Sequence, residues 1–170
     1  MKPERLLQIL IGVLTAALIF VVYDAVRIPE VGVGDSAPDF KITTDSGRQM
    51  TRSDFGGKVL VLNFWATWCP PCLEELPSLN QFQKEMAGSG VVVLGVSVDK
   101  NEKLYKAFLK RNGVMFETTR DPEANLPAEY GTFKYPETYV IDASGKVRQK
   151  HISSVDWTDP NLIKSIKDLL

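Results

Sequence analysis

Cysteine is scarce in this chain. Two stand among 170 residues, three positions apart, and there is one histidine. A small fold stapled by disulfides needs more cysteines, spread along the sequence, so cysteine here reads as chemistry and not as scaffold. A structural zinc site needs four ligands. One Cys-x-x-Cys supplies two and His151 lies far along the chain, so no metal and no other cofactor are expected. An excess of charge is missing as well: 20 basic and 21 acidic residues leave a formal net charge of -1. No basic field exists to hold nucleic acid, and that class is set aside. Internal repeats and low-complexity tracts are absent, and no lipid-acceptor cysteine stands near the start.

A long apolar run occurs once, over residues 6–22, where Gln8 and Thr15 are the strongly polar interruptions. At about 1.5 Å per residue the run spans roughly 25 Å, near the lower limit for a helix that crosses a bilayer. Lys2, Arg5 and the amino terminus precede it, which favours a cytoplasmic N-terminus and export of the chain beyond the run. The competing reading is a cleaved signal peptide, whose apolar region is usually about 7–15 residues and ends in a small-x-small site. Here the run is longer and bulky Tyr23 stands two positions before Ala25, which favours an uncleaved anchor. Residues 1–30 are therefore assigned to a transmembrane signal anchor with its linker, and residues 31–170 to one domain. The domain is expected on the extracytoplasmic side of the cytoplasmic membrane, where disulfides form and persist.

Residues 28–35, rich in Gly and Val, read as linker. Residues 39–43 and 48–50 suit a hairpin around Asp45-Ser46-Gly47. The run 59–65 is rich in β-branched and aromatic residues and suits a strand buried on both faces. Residues 70–86 predict a helix. Pro70 and Pro71 fit its first turn, Leu73, Leu76, Leu79 and Phe82 form an apolar stripe, and Pro77 should bend it. A buried strand comes next, at 91–98. The helix at 101–112 has Leu104, Phe108 and Leu109 inward, with Gly113 as a left-handed cap. Then come a strand at 115–119, a short helix at 122–130, a hairpin of 138–142 with 146–152, and a closing helix at 159–170. Strands alternating with helices imply an α/β fold, with a parallel-centred sheet flanked by helices and antiparallel strands added by the last hairpin.

Cys69 and Cys72 come after a buried strand and open a helix. Free N–H groups and the helix dipole favour a thiolate there, lowering a thiol pKa from about 8.5 to roughly 3.5–7.5. Cys69, at the end of the loop, is expected to be the exposed nucleophile. Cys72, one turn into the helix, is expected to be the resolving thiol. Glu75 falls three residues after Cys72 on the same helical face, where it can exchange the buried thiol's proton. It also reads as an ordinary first-turn acid that suits the helix dipole. By itself Pro136 is a loop proline before a strand, Glu137 a surface acid and His151 a half-exposed strand residue.

The stretch Val61-Leu62-Asn63-Phe64-Trp65-Ala66-Thr67-Trp68-Cys69-Pro70-Pro71-Cys72, with Gly34-Asp35-Ser36-Ala37-Pro38-Asp39-Phe40 ahead of it, resembles the TlpA/ResA/CcmG group of membrane-tethered, extracytoplasmic thioredoxin-like proteins. The resemblance implies a thioredoxin-like fold with an N-terminal hairpin extension, catalytic Cys69, Cys72 and Glu75, and a cis-proline at Pro136 facing the cysteines. It implies a substrate surface made of Trp68, Tyr135, Pro136 and Glu137, with Tyr135 offering backbone groups to a client peptide. Pro136-Glu137-Thr138 resembles the cytochrome c maturation branch. General thioredoxins often carry a buried Asp where this chain has Asn63, and Glu75 is expected to replace it.

The expected function is reduction of protein disulfides, with apocytochrome c as client and a membrane electron donor for re-reduction. The alternatives are a disulfide-forming oxidase, a general periplasmic thioredoxin, a peroxiredoxin-like peroxidase and a non-catalytic redox adaptor. The peroxidatic pattern P-x-x-x-T-x-x-C is not met, since Leu62 and Ala66 stand in its places before Cys69, and Trp65 and Cys69 before Cys72.

Overall fold

Large apolar side chains that pack against nothing set the first element apart. In a computed structural model describing residues 3–26 and 30–170, helix α1 (Pro3–Val26) leaves its large hydrophobic residues from Leu7 to Val22 exposed. Its 24 residues extend beyond the expected run at both ends. At about 1.5 Å per residue it is roughly 36 Å long, enough to cross a hydrocarbon layer of about 30 Å.

The linker reading of residues 28–35 does not hold over 31–35, and residues 28 and 29 lie outside the described residues. Val31 is buried and its amide donates to the Tyr130 carbonyl, the Gly34 amide donates to Val147, and the Val147 amide donates to Asp35. Gly and Val supply backbone pairing here, not slack. Strands β1 (Lys41–Thr43) and β2 (Gln49–Thr51) form the expected hairpin as a two-stranded sheet, followed by a 3₁₀ turn at Arg52–Phe55.

The main sheet is built from β3 (Val59–Trp65), β4 (Val91–Ser97), β5 (Glu117–Arg120), β6 (Glu137–Ile141) and β7 (Val147–Ile152), in the order β5-β4-β3-β6-β7. The β3–β4 and β4–β5 pairs are parallel; β3–β6 and β6–β7 are antiparallel. The connecting helices are α2 (Pro70–Met86), α3 (Glu102–Asn112) and α4 (Asn125–Glu129), and α5 (Pro160–Lys167) closes the chain.

All seven residues of β3 are buried, so its alternation feeds two cores. Val59, Val61 and Trp65 face one side with both cysteines and apolar residues of α2, α3 and α5. Leu60, Leu62 and Phe64 face the other with Phe40, Met50, Phe55, Leu126 and Tyr139. The three longer domain helices thus share one face, and the hairpin, the 3₁₀ turn and α4 cover the other.

Two helix phases differ from expectation. Leu104 is 65% exposed, because Tyr105 takes the inward position and its hydroxyl donates to Asp45. Leu73 is partly exposed, because the inward face of α2 starts at Cys72 and runs through Glu75, Leu76, Leu79, Phe82 and Met86. Strand β5 starts two residues and ends one residue later than expected, and Met115 is exposed. Gly113 caps α3 in the left-handed region, at φ 59°, as its position predicts.

Gly95, in the middle of β4, lets the sheet take Trp65 and Phe116 against its backbone. A Cβ there would lie 2.7 Å from a Phe116 ring carbon and 3.0 Å from Trp65 Nε1. Gly95→Ala should therefore overpack this face and lower unfolding stability by about 1–3 kcal/mol in urea titration.

Candidate active site: a disulfide backed by a buried carboxyl group

The loop that carries the cysteines leaves the C-terminal end of β3 and is pinned before it reaches them. Asp99, buried just past β4, accepts the Thr67 amide at 2.9 Å and the Thr67 hydroxyl at 2.6 Å, and also the Ser97 hydroxyl at 2.6 Å. The Val98 amide donates to the Trp65 carbonyl at 3.0 Å. Helix α2 then begins at once, with Cys69 as its N-cap and Pro70 at its first position, where no N–H is needed.

Cys69 and Cys72 are joined as a disulfide, with Cα atoms 5.3 Å apart. The expected contrast in exposure is not seen in this oxidised form, where Cys69 is 4% and Cys72 3% exposed. Both belong to the same hydrophobic core, against which Tyr135 packs. Their asymmetry lies in hydrogen bonding: the Cys72 amide points at Cys69 Sγ, 3.3 Å away. A thiolate on Cys69 would gain from that N–H and from the helix terminus.

Glu75 sits one turn behind Cys72 on the inward face of α2, 3% exposed. Its Oε1 accepts from Asn63 Nδ2 at 2.9 Å. Its Oε2 accepts from Trp157 Nε1 at 3.2 Å and from the Val155 amide at 3.4 Å. Burial pushes the carboxyl above the usual glutamate range, and the three N–H donors oppose that shift without cancelling it. Asn63 also donates to the Thr138 hydroxyl at 2.8 Å, which ties β3, β6 and α2 together around the carboxyl. The Asn63 and Glu75 positions, read from the sequence as a substitution of one for the other, are in direct contact.

The Tyr135–Pro136 peptide is cis, and Pro136 is buried. The β3–β6 register pairs Asn63 with Thr138 and Phe64 with Glu137, so Pro136, two residues before Thr138, shares its face of the sheet. That is the face of Glu75 and the cysteines. Trp68 is 64% exposed, and its ring meets the Tyr135 ring edge-on with centroids 6.3 Å apart.

Glu137 departs from the expected site. It is 5% exposed and points to the opposite face, where it accepts from the Tyr139 hydroxyl at 2.9 Å and pairs with Lys150 at 3.0 Å. Period-two alternation puts it across the sheet from Thr138, so it is a core acid held by a lysine and not part of the surface around the disulfide. His151 is half-buried as expected; burial lowers its pKa, and its ring stacks edge-on to Trp157.

Three contributors escaped sequence reading. Asp99 offered a weak signal, an acid two residues after Ser97 at the end of a buried strand. Trp157 offered a clearer one, a large aromatic in the Ser153–Asp159 stretch, where Val155 is the one other apolar residue. Val155 acts through its amide, which leaves no trace in sequence.

A mixed sheet that delivers a disulfide to a helix N-terminus, with a cis-proline on the same face, defines a thiol–disulfide oxidoreductase of the thioredoxin-like class. The chain belongs to the AhpC/TSA family, whose model matches residues 33–150. It is 36% identical over 137 residues to the thioredoxin-like protein YneN of Bacillus subtilis, covering 78% of this chain and 80% of that one. It is 32% identical over 154 residues to the thiol-disulfide oxidoreductase ResA of Bacillus cereus, covering 88% and 89%. Among solved structures, a thiol:disulfide interchange protein of the thioredoxin family from Chlorobium tepidum superposes with a TM-score of 0.70 at 28% identity, over 80% of this chain and 98% of that one.

The raised carboxyl sets a sign for stability. Folded Glu75 keeps its proton above pH 4.5, its ordinary pKa, while the unfolded chain gives it up there. Its contribution is thus complete below that pH and is lost as pH rises through the folded value. In thermal melts of the oxidised protein, the stability of wild type relative to Glu75→Gln should fall as pH is raised from 4.5. A difference that is flat or grows with pH contradicts the raised pKa.

Proposed function

We propose that the chain is a membrane-anchored reductant of protein disulfides outside the cytoplasm, with α1 as the anchor and residues 31–170 as the exported catalytic domain. The client we favour is apocytochrome c, whose cysteines must be reduced before haem attachment. The observation that carries the reading is the buried Glu75 carboxyl one turn after Cys72 on the same inward face of α2, because a resolving thiol needs somewhere to put its proton.

In the proposed cycle the Cys69 thiolate attacks a client disulfide and forms a mixed disulfide, and the departing client thiolate takes a proton from solvent. Cys72 gives its proton to Glu75 and attacks Cys69 Sγ. The second client sulfur leaves and is protonated in turn, and the Cys69–Cys72 disulfide remains. The client gains two electrons, which a membrane electron donor must return to the protein. Trp68, Tyr135 and Pro136 form the docking edge: the exposed indole gives apolar contact and the backbone of Tyr135 gives strand-like pairing.

The Pro136-Glu137-Thr138 sequence supports the cytochrome c branch as a resemblance, although Glu137 itself is turned away from the disulfide. The apolar length of α1 supports anchoring, with Lys2 and Arg5 favouring an inside N-terminus. An oxidase would use the same residues in the reverse direction, and its signature is a reduction potential near about -120 mV.

Cys72→Ser in cells should accumulate disulfide adducts with client proteins through Cys69, and Cys69→Ser should not. Recovery of apocytochrome c in the adducts, with a potential well below the oxidant value, supports the proposal. Adducts that hold no cytochrome, or a potential near the oxidant value, reject the client or the direction respectively.

A further inference from the structure

Trp157 is fully buried, yet it comes from a short polar segment between β7 and α5. Its position is fixed from several sides. Its backbone amide donates to the Ser78 hydroxyl of α2 at 3.2 Å, its ring packs on Phe82 with centroids 5.6 Å apart, and His151 of β7 meets its edge at 5.7 Å. The one polar atom of this side chain, Nε1, points at Glu75 Oε2. A buried indole N–H calls for an acceptor, and the one it meets here is the carboxyl on the inward face of α2.

We infer that Trp157 is a positioning residue for Glu75: its indole N–H fixes one carboxylate oxygen as a permanent acceptor and sets how tightly the carboxyl group holds a proton. The inference rests on the proton-accepting role proposed above for Glu75.

The chemistry of the donors carries it. An indole N–H and a backbone amide only donate, so Oε2, which accepts from Trp157 and Val155, has no acceptor partner toward which to turn a proton. Asn63, on Oε1, is different: its side-chain amide has a donor end and an acceptor end. A proton taken up by Glu75 therefore belongs on Oε1, and the Asn63 amide turns to receive it. Donation to the charged form favours that form, so the indole counteracts the burial that would otherwise hold the proton on the carboxyl.

The groups around the carboxyl come from five places: Cys72 stands one turn earlier on the buried face of its own helix, Asn63 comes from β3, Thr138 from β6 through Asn63, Val155 and Trp157 from the C-terminal segment, and His151 from β7 behind the indole. No cationic side chain hydrogen-bonds it among the described residues. The neutral donors are what hold its charge.

The test uses the full-length chain in detergent micelles, in the disulfide form, where no thiol titrates beside the carboxyl. The Glu75 carboxyl carbon, identified with Glu75→Gln, is followed by NMR against pH. Trp157→Phe should raise its midpoint by about one unit, a roughly tenfold tighter hold on the proton. In wild type, the Trp157 indole N–H resonance should move with the same midpoint as the carboxyl carbon. With reduced protein and a peptide disulfide, the pH of half-maximal rate should rise by the same amount in Trp157→Phe while the plateau is kept. An unmoved midpoint, or an indole resonance indifferent to pH, overturns the inference. Should Trp157→Phe fail to fold, the wild-type indole resonance decides alone. A Glu75→Gln rate–pH profile equal to wild type would reject the proton-accepting role and this inference together. A changed Glu75→Gln profile beside an unmoved Trp157→Phe midpoint rejects this inference only.

Discussion

Burial of β3 on both faces is the constraint on which the rest of the molecule depends. The register of β3 is fixed, because a shift of one residue would send every side chain to the opposite core and take Asn63 away from Glu75 and Thr138. Each neighbour is registered to it: β4 in parallel, β6 antiparallel, and through them the two edge strands. The loop that leaves its end inherits that precision. Thr67 is latched to Asp99, and the dithiol emerges at a place defined by two layers of packing.

The same alternation divides the labour between the faces. Asn63, Thr138, Glu75 and the cysteines lie on one side; Phe64, Glu137, Tyr139 and Lys150 lie on the other. Two buried glutamates thus stand in adjacent layers with opposite arrangements. Glu137 has a lysine that neutralises it in place. Among the described residues Glu75 has only neutral hydrogen-bond donors, and no ion pair holds it ionised. The ion pair ties Glu137 to β7, whereas burial without such a partner pushes the Glu75 carboxyl toward its protonated form.

Most of the fold could be read in the sequence, because its signals are local. The apolar run 59–65, the prolines at the start of α2 and Gly113 at the end of α3 each act within a few residues, and β3 and α2 fall where they were expected. Helix phase was misread where neighbouring residues competed for the inward position. Leu104 lost to Tyr105, and Leu73 lost to the phase set by Cys72 and Glu75, and neither contest can be judged without the partner surface. The site was legible to the same depth. Cys69, Cys72, Glu75 and cis-Pro136 come from one motif and a resemblance. Trp157 and Asp99 act across long separations in the chain, and Glu137 was assigned by its neighbour in sequence when the pleat sends it to the far side.

The tie between Val31 and Tyr130 has a consequence for reach. It brings the folded body to within five residues of the end of α1 at Val26. Fully extended, five residues cover at most about 18 Å. On the anchored reading the disulfide cannot range freely through its compartment; it patrols a thin layer next to the lipid. Soluble clients must come to that layer, while a redox partner in the same bilayer is met by diffusion in two dimensions, at an effective concentration set by the tether and not by the volume outside. A few backbone hydrogen bonds at the start of the domain thus bias which partners it meets most often.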